Sequence, residues 1–366
     1  MNRQIAARSL AREALANPEL QRPDWLTGSP RDPRLLWLVK NENSDPALAE
    51  ITTRVLREVV DESLHVYPES AALYQKLGDW VGVSPDHLLL TAGSDGVIRA
   101  VFETFVNPGD AVLLTEPTFA MYPVYAKIFG AQAHVMAYEA TDSGPQIACE
   151  AIVAQMKRVS PKLVCLPNPD SPTGTILAPE EVRLIADTAG ELGAILLIDE
   201  AYHPFYSWSA VPWVRELPHL VVARTFSKAW GLAGLRAGYA VAHPQTVQLL
   251  HLVRPMYEVN TLAVAAVERM LDHAEAMEAS VERLRRGVTH FLDAMTSMGL
   301  PTLDSHGNFL HVAFGDHGPA VHAALAPLVL YRPYSSFPVL TGYSRFSATT
   351  AELFDPLIER IRGAIH

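Results

Sequence analysis

Between about residue 91 and residue 225, short apolar runs alternate with longer segments of helical spacing. Residues 111–115 and 163–167 are such runs, and residues 94–106 and 179–191 are such helical segments. Strands that are apolar throughout are buried on both faces, where the connecting helices cover them. The alternation therefore predicts an α/β fold with a mostly parallel sheet flanked by helices. The other predicted elements are helices near 47–64, 119–129 and 148–158, and strands near 132–138, 194–199 and 219–224.

The pattern changes after about residue 258. Residues 261–298 read as one long helical stretch with a break near Asp272–His273. A strand candidate at 308–314 and a final helix near 351–364 follow. This change predicts a second, smaller α+β domain. The predicted organisation is an N-terminal arm, 1–46, which is part of the small domain, a large ligand-binding domain, 47–257, and a C-terminal small domain, 258–366.

Composition narrows the class of function. The chain has 366 residues, of which 49% are hydrophobic and 19% are charged, so it can bury a large core. The net charge of −11 argues against nucleic-acid binding. The two cysteines, Cys149 and Cys165, make neither a disulfide framework nor a zinc motif, and they favour a cytoplasmic location. There is no apolar run of about 18 residues, so no membrane span is expected, and no histidine cluster predicts a metal site.

Polar residues directly follow four of the predicted strands. In open α/β sheets, ligands bind beyond the carboxyl ends of the strands. These residues therefore predict one ligand site at that edge of the sheet. The four groups are Glu116–Phe119 after 111–115, Asn168 after 163–167, Asp199 at the end of 194–199, and Thr225–Lys228 after 219–224.

Lys228 is the most informative of these residues. It is one of six lysines, and it lies in the apolar segment Thr-Phe-Ser-Lys-Ala-Trp-Gly. A desolvated lysine has a lowered pKa and acts as a Schiff-base nucleophile. Arg236, eight residues later, and Ser227 are suited to binding a phosphate.

Other nucleotide and phosphate motifs are weak or missing. The chain has neither GxxxxGK[ST] nor GxGxxG, which excludes a P-loop and a dinucleotide fold of the usual kind. Gly93-Ser-Asp-Gly96 opens a predicted helix, and its free N–H groups would suit a phosphate. A plain N-cap by Ser94 or Asp95 explains the same segment equally well.

The segment Thr225–Gly238, which contains Lys228 and Arg236, resembles the lysine signature of the fold-type I aminotransferases of class I/II. These enzymes use pyridoxal 5′-phosphate. Within them, the chain is most similar to the histidinol-phosphate aminotransferase branch. The similarity extends from about Asn41 to Arg345 and includes several motifs in the same order.

The resemblance implies a role for each matching residue. Lys228 would hold the cofactor as a Schiff base, Asp199 would pair with its ring nitrogen, and Tyr202 would hydrogen-bond its ring oxygen. Phe119 would stack on the ring, where the family often has tyrosine. The other residues implied at the cofactor are Ser94, Asp95, Ser227 and Arg236 at the phosphate, Tyr67 donated to that phosphate by the partner in a homodimer, and Asn168 and Ser171 near the ring oxygen.

The resemblance also implies three substrate-binding residues. Arg345 would bind the α-carboxylate, Arg332 would hold a phosphate or second carboxylate, and Asn43 belongs to the Asn41–Asn43 motif at the start of the similarity.

Three departures from the family leave the substrate open. Ser171 stands where the family has an asparagine before Pro-Thr-Gly. Val66 stands where the branch commonly has arginine, and no tyrosine precedes Tyr67. The amine is therefore either a histidinol-phosphate-like compound or another amino acid.

The expected activity is transfer of an amino group between that amine and a 2-oxo acid by a homodimer with shared active sites. The alternative is a decarboxylase of the same fold, similar to the threonine-phosphate decarboxylases. The cofactor weakens whichever Cα bond lies perpendicular to its ring, so only the pose of the substrate separates the two reactions. A non-enzymatic sensor of this fold would carry a basic DNA-binding domain, and the acidic chain argues against it.

Overall fold

The structure is a computed structural model that describes residues 11–16, 20, 30–63, 65–141 and 143–365. Most of the predicted N-terminal arm before residue 30 lies outside the described residues. In chain order, the strands are β1 (Leu36–Trp37), β2 (Leu88–Thr91), β3 (Ala111–Glu116), β4 (Gln132–Ala137), β5 (Glu139–Thr141), β6 (Gly144–Gln146), β7 (Leu163–Pro167), β8 (Ile195–Asp199), β9 (Leu220–Thr225), β10 (Gly238–Ala242), β11 (Thr302–Leu303), β12 (Phe309–Ala313), β13 (Val329–Leu330), β14 (Arg332–Pro333) and β15 (Tyr343–Ser347). The helices are α1 (Pro46–Ser63), α2 (Ala71–Val81), α3 (Ser94–Phe105), α4 (Met121–Phe129), α5 (Cys149–Val159), α6 (Pro179–Leu192), α7 (Pro244–Val253), α8 (Thr261–Met270), α9 (Ala274–Ser297), α10 (Gly318–Leu325) and α11 (Ala351–Ile365).

The largest sheet has the strand order β2-β10-β9-β8-β7-β3-β4. From β9 to β4, every neighbouring pair is parallel, whereas β10 is antiparallel to both β9 and β2. The prediction of a mostly parallel sheet flanked by helices is therefore confirmed. Strand β10 was not predicted, because its short segment Gly-Tyr-Ala-Val-Ala lies within a glycine-rich stretch.

Both faces of this sheet are covered by hydrophobic clusters. Along β7, Leu163 and Cys165 belong to one cluster, whereas Val164 and Leu166 belong to the other. Successive side chains of a strand point to opposite faces. A strand with two apolar faces must therefore be apolar at every position, which is the pattern seen in the sequence.

Local signals in the sequence set the ends of the helices. In α6, Pro179 occupies the first turn, and the Glu181 carboxylate accepts a hydrogen bond from the Ala178 N–H at 2.6 Å. Both features satisfy or remove N–H groups that a helix leaves without partners. Gly193, at φ 66°, ends the helix in the left-handed conformation that favours glycine.

The C-terminal part of the chain forms a four-stranded antiparallel sheet in the order β11-β12-β15-β14. Phe291 of α9, Phe346 of β15 and Phe354 of α11 lie in its hydrophobic cluster. Strand β1 pairs with β13 beside this sheet.

The predicted long helical stretch is divided at the predicted place, because α8 ends at Met270 and α9 begins at Ala274. The domain boundaries at 46/47 and 257/258 stay a prediction.

Two further observations concern the described residues as a whole. Cys149 and Cys165 are both buried and unpaired. Among the helices that the structure describes, none combines the length and the apolar character needed to cross a membrane.

Candidate active site

The carboxyl ends of β7, β8 and β9 and the first turn of α3 surround a cavity of about 230 Å³. Parallel strands end at the same edge of a sheet, which is why residues distant in sequence meet here. Nine residues predicted for the site line this cavity: Ser94, Asp95, Phe119, Ser171, Asp199, Tyr202, Ser227, Lys228 and Arg236. We call Asp199, Ser227, Lys228 and Arg236 the strand-end group.

One end of the cavity is built to bind an anion. Ser94 and Asp95 open the twelve-residue helix α3, whose first N–H groups have no intrahelical partner. The Arg236 Nη1 donates to the Ser227 Oγ at 3.1 Å, and the Thr225 Oγ1 donates to the same oxygen at 3.0 Å. A helix N-terminus, a hydroxyl and a guanidinium together form a phosphate site.

Two glycines allow these parts to approach one another. Gly93 has φ +81°, and a Cβ there would lie 2.7 Å from the Arg236 Nη2. A Cβ at Gly238 would lie 2.4 Å from the Gly93 carbonyl carbon. Any side chain at either position would displace the guanidinium or the helix N-terminus, so the anion site depends on both glycines.

Asp199 ends β8 and lines the same cavity. Its Oδ1 accepts from the Ala201 N–H at 3.0 Å, and its Oδ2 accepts from the Tyr122 hydroxyl at 3.1 Å. Burial raises the pKa of Asp199 to about 6, and the hydrogen bond from Tyr122 opposes that rise. The sequence analysis did not identify Tyr122, since a tyrosine in an apolar helix looks like any other core residue.

Lys228 follows β9 and extends into the cavity. Its Nζ donates to the Lys40 carbonyl at 2.9 Å and lies 5.9 Å from the centre of the Tyr202 ring. Burial lowers the pKa of Lys228 to about 8, and the nearby charges of Arg345 and Arg236 act in the same direction. More of this amine is therefore neutral near neutral pH than in an exposed lysine, and the neutral amine is the nucleophile.

Tyr202 faces Lys228 and is oriented by an asparagine. The Asn41 Nδ2 donates to the Tyr202 hydroxyl at 2.9 Å. Asn43, which was predicted for the substrate, does not line the cavity, and its Nδ2 donates to the Ala229 carbonyl and the Ser280 Oγ, both at 3.0 Å. The two asparagines belong to one motif, so only the tertiary structure shows which of them reaches Tyr202.

Arg345 lies on β15, directly opposite His311 of β12 and Arg332 of β14. Its side chain is buried, and its guanidinium carbon lies 5.3 Å from the centre of the Phe309 ring and 5.9 Å from that of Tyr334. The Nη2 donates to the Val39 carbonyl at 2.9 Å. We call Arg345, Arg332, His311 and Tyr334 the arginine group.

Two buried polar atoms of the arginine group make no hydrogen bond within the described part of the chain: the Arg345 Nε and the Tyr334 hydroxyl. Burial lowers the pKa of His311 to about 3, with a smaller effect in the same direction from the charge of Arg345, so the ring is neutral. His311 was not identified from the sequence, where it is one residue of an otherwise apolar strand.

Besides Asn43, four predicted site residues do not line the cavity: Arg345, Arg332, Asn168 and Tyr67. The Asn168 Oδ1 accepts from the Leu177 N–H at 2.9 Å, and its Nδ2 donates to the Leu177 carbonyl at 3.3 Å. Asn168 therefore closes the loop after β7 rather than facing a ligand. Tyr67 is 74% exposed, and its ring stacks on Tyr257 with the ring centres 4.4 Å apart.

The residues at the cavity suit pyridoxal 5′-phosphate. The glycine-shaped anion site matches its phosphate, Lys228 matches its aldehyde, and the buried carboxylate of Asp199 matches a protonated ring nitrogen. Phe119 and Tyr202 also line the cavity, and the centre of the Tyr202 ring lies 5.9 Å from the Lys228 Nζ.

Comparison with known proteins agrees with this chemistry. The model of the family "Aminotransferase class I and II" matches residues 33–361. The histidinol-phosphate aminotransferase of Thermoanaerobacter pseudethanolicus is 32% identical over 320 residues, which cover 86% of this chain and 89% of that protein. Histidinol-phosphate aminotransferase 1 of Cupriavidus pinatubonensis is 34% identical over 300 residues, with 79% and 77% covered. The crystal structure of histidinol-phosphate aminotransferase from Sinorhizobium meliloti in complex with pyridoxal-5′-phosphate superposes with a TM-score of 0.77 at 24% identity, covering 90% of this chain and 91% of that one.

The chain belongs to the aminotransferase class I and II family, and its fold is that of the fold-type I enzymes. It is a transaminase that uses pyridoxal 5′-phosphate and moves an amino group to a 2-oxo acid. The relatives are aminotransferases, so the decarboxylase alternative is not favoured.

Proposed function

We propose that each residue of the strand-end group has one role toward the cofactor. Arg236, Ser227 and the first N–H groups of α3 bind its phosphate, because these donors converge on one point of the cavity. Asp199 holds the proton on its ring nitrogen. Tyr202 donates to its ring oxygen, and Phe119 covers one face of the ring.

Lys228 has two tasks in this proposal. It first binds the cofactor covalently, and the amine of the substrate then displaces it. The free Nζ takes the proton from the substrate Cα and delivers it to the cofactor carbon. A pKa of about 8 permits both steps near neutral pH. When bound, the cofactor supplies the electron-withdrawing ring that makes this proton acidic.

For the substrate, we propose an amine that carries two anionic groups, or one doubly charged group such as a phosphate. The observation that carries this is the register of the antiparallel pair β14–β15, which places Arg332 directly opposite Arg345. Like charges opposite one another on a sheet repel. Neither arginine forms an ion pair with a carboxylate in the part of the chain that the structure describes. An anion between them removes the repulsion, and histidinol phosphate, the amine named in the relatives, is the first compound to test.

A half-reaction screen tests this proposal. The purified protein is loaded with pyridoxal 5′-phosphate and mixed with one amine at a time, without a 2-oxo acid. The panel pairs each doubly anionic amine with a matched compound: histidinol phosphate with histidinol, and glutamate with glutamine. The rate at which the visible band of the lysine-bound cofactor disappears is measured. We expect the charged member of at least one pair to react faster by about 100-fold or more, the factor of a charge-paired contact. Equal rates within both pairs would contradict the proposed substrate class.

We also propose that the enzyme is a homodimer in which Tyr67 reaches the phosphate of the neighbouring site. The support is an apolar surface around Tyr67, which includes Met256 at 77% exposure and Leu252 at 80%. Tyr257 stacks on Tyr67 within this surface. Apolar residues exposed in such a contiguous patch mark a protein interface.

Mixing two variants tests the shared arrangement. Tyr67→Phe removes only the hydroxyl, and we expect about a tenfold weaker retention of the cofactor, the value of a hydrogen bond to a charged group. A heterodimer of Tyr67→Phe and Lys228→Ala has one site with both residues intact. We expect that site to retain cofactor on dialysis as the wild type does. Retention no better than that of a Tyr67→Phe homodimer would contradict the exchange of Tyr67 between subunits.

A further inference from the structure

Asp199 depends on hydrogen bonds rather than on an ion pair. Among the described residues, no lysine, arginine or histidine lies within ion-pair distance of it. Its Oδ1 accepts from a backbone N–H, and its Oδ2 accepts from a single side chain, Tyr122. The titratable groups that face it are Tyr122 from α4, Cys165 from β7, Glu200 beside it, Tyr202 three residues later and Lys228 after β9.

The charge of Glu200 is compensated by another residue. Arg224 donates to the Glu200 Oε2 from its Nε at 3.0 Å and from its Nη2 at 2.9 Å. Cys165 is fully buried, and burial raises the pKa of its thiol well above the usual value, so it carries no charge. Tyr122 is therefore the side chain whose contact with Asp199 most directly decides whether the carboxylate stays ionised.

Tyr122 is placed to act through Asp199 alone. Its side chain is fully buried and does not line the cavity. Burial, together with the charge of Asp199, raises the pKa of its hydroxyl well above 10, so the hydroxyl remains a donor. The backbone N–H of Tyr122 donates to the Phe119 carbonyl at 3.1 Å, and the two rings meet edge to face at 6.2 Å. One short turn thus positions both Phe119, which lines the cavity, and Tyr122, which donates to Asp199.

We propose that Tyr122 is a positioning residue, which keeps the Asp199 carboxylate ionised and turned toward the ring nitrogen of the cofactor. This rests on the role of Asp199 in the proposed function. Without the hydroxyl, a buried carboxylate oxygen loses its donor, and such an oxygen is stabilised by protonation instead. A neutral Asp199 no longer holds the proton on the ring nitrogen.

Tyr122→Phe tests the proposal, because it removes the hydroxyl and keeps the ring in the core. Tyr138→Phe is the matched control, since Tyr138 is also buried and its hydroxyl lies beside a different buried carboxylate, that of Asp170, which does not line the cavity. Each protein is loaded with pyridoxal 5′-phosphate labelled with nitrogen-15 in the ring. The nitrogen chemical shift then reports the protonation of the ring directly as the pH is varied.

In Tyr122→Phe, we expect the pH midpoint for loss of the ring proton to fall by about one unit, a tenfold change in the ratio of the two forms. We expect kcat to fall about tenfold while KM for the amine stays within about twofold, since the substrate contacts are unchanged. Tyr138→Phe is expected to keep the wild-type midpoint. A wild-type midpoint in Tyr122→Phe would overturn the proposal.

Two further variants separate the possible failures. In an Asp199→Asn background, adding Tyr122→Phe should shift nothing further, because the group through which Tyr122 acts is gone. An additional shift in that background would show that Tyr122 acts on the ring nitrogen without Asp199, and it would overturn the proposal.

If Tyr122→Phe does not fold, fluorotyrosine at position 122 preserves the packing, and its more acidic hydroxyl should move the midpoint to higher pH. If Asp199→Asn alone keeps the wild-type midpoint, the role of Asp199 in the proposed function fails, and the proposal for Tyr122 fails with it. A shift in Asp199→Asn without one in Tyr122→Phe overturns the proposal for Tyr122 alone.

Discussion

The strand-end group lines the cavity and the arginine group does not, and the two groups differ in how completely the protein satisfies their polar atoms. In the strand-end group, Asp199 accepts from Tyr122 and Ala201, and Lys228 donates to the Lys40 carbonyl. In the arginine group, the Arg345 Nε and the Tyr334 hydroxyl have no partner among the described residues.

This difference shows in which of the two groups the protein itself supplies the hydrogen-bond partners. A buried polar group without a partner costs about 1–3 kcal/mol. In the proposed function, the strand-end group binds the cofactor with a geometry that is already present in the free protein. We expect the substrate to complete the arginine group, so differences in substrate class should arise there.

Lys228→Ala gives the largest expected effect. Without the nucleophile and the proton carrier, the transamination rate should fall by about 10⁴-fold or more. The visible band of the covalently held cofactor should be absent, whereas unfolding should follow the wild type. Borohydride reduction followed by mass spectrometry checks the assignment, and cofactor trapped on another lysine would refute it.

Arg345→Gln separates the two groups. We expect KM for carboxylate-bearing amines to rise by about 100-fold, because one partner of a buried charge pair is removed. The dissociation constant of the cofactor should change by less than about twofold. Arg332→Gln is the control, and it should raise KM only for amines with a second anionic group. Loss of cofactor binding in Arg345→Gln would mean that the two groups are not independent.

Thermal unfolding of the loaded protein tests the comparison between the two groups without any catalysed reaction. A dicarboxylate that lacks an amino group should raise the Tm of the loaded wild type by a few degrees, because it binds the folded state alone and satisfies the arginine group. Arg345→Gln should show no such rise. A dicarboxylate that stabilises both proteins equally is bound elsewhere.

The smallest expected effect is a pH shift that links the two groups. Lys228 must be neutral to capture the cofactor, and its pKa is lowered to about 8. The rate of cofactor capture by the protein without cofactor should rise through about pH 8 and level off above it. The positive charge of Arg345 contributes to that lowering, so Arg345→Gln should move the midpoint upward. A stopped-flow pH profile measures it, and a downward shift would contradict the electrostatic origin.

The sequence predicted much of the fold and of the strand-end group because their signals are local. Apolar runs such as 163–167 mark buried strands wherever they occur. Lys228 stands out because few lysines lie in an apolar segment. Strand β10 and helices α2 and α7 were not predicted from the sequence.

Local patterns of residues were enough to predict the α/β class and the residues at the strand ends, and the resemblance to a known family predicted the aminotransferase chemistry. The fold was needed to show that Tyr122 donates to Asp199, that Asn41 rather than Asn43 reaches Tyr202, and that Arg345 lies between His311 and Arg332. The physical reason is separation along the chain: Tyr122 and Asp199 are 77 positions apart, and Asn41 and Tyr202 are 161. Which side chains meet over such separations depends on strand register and helix packing, and no local pattern of residues specifies these.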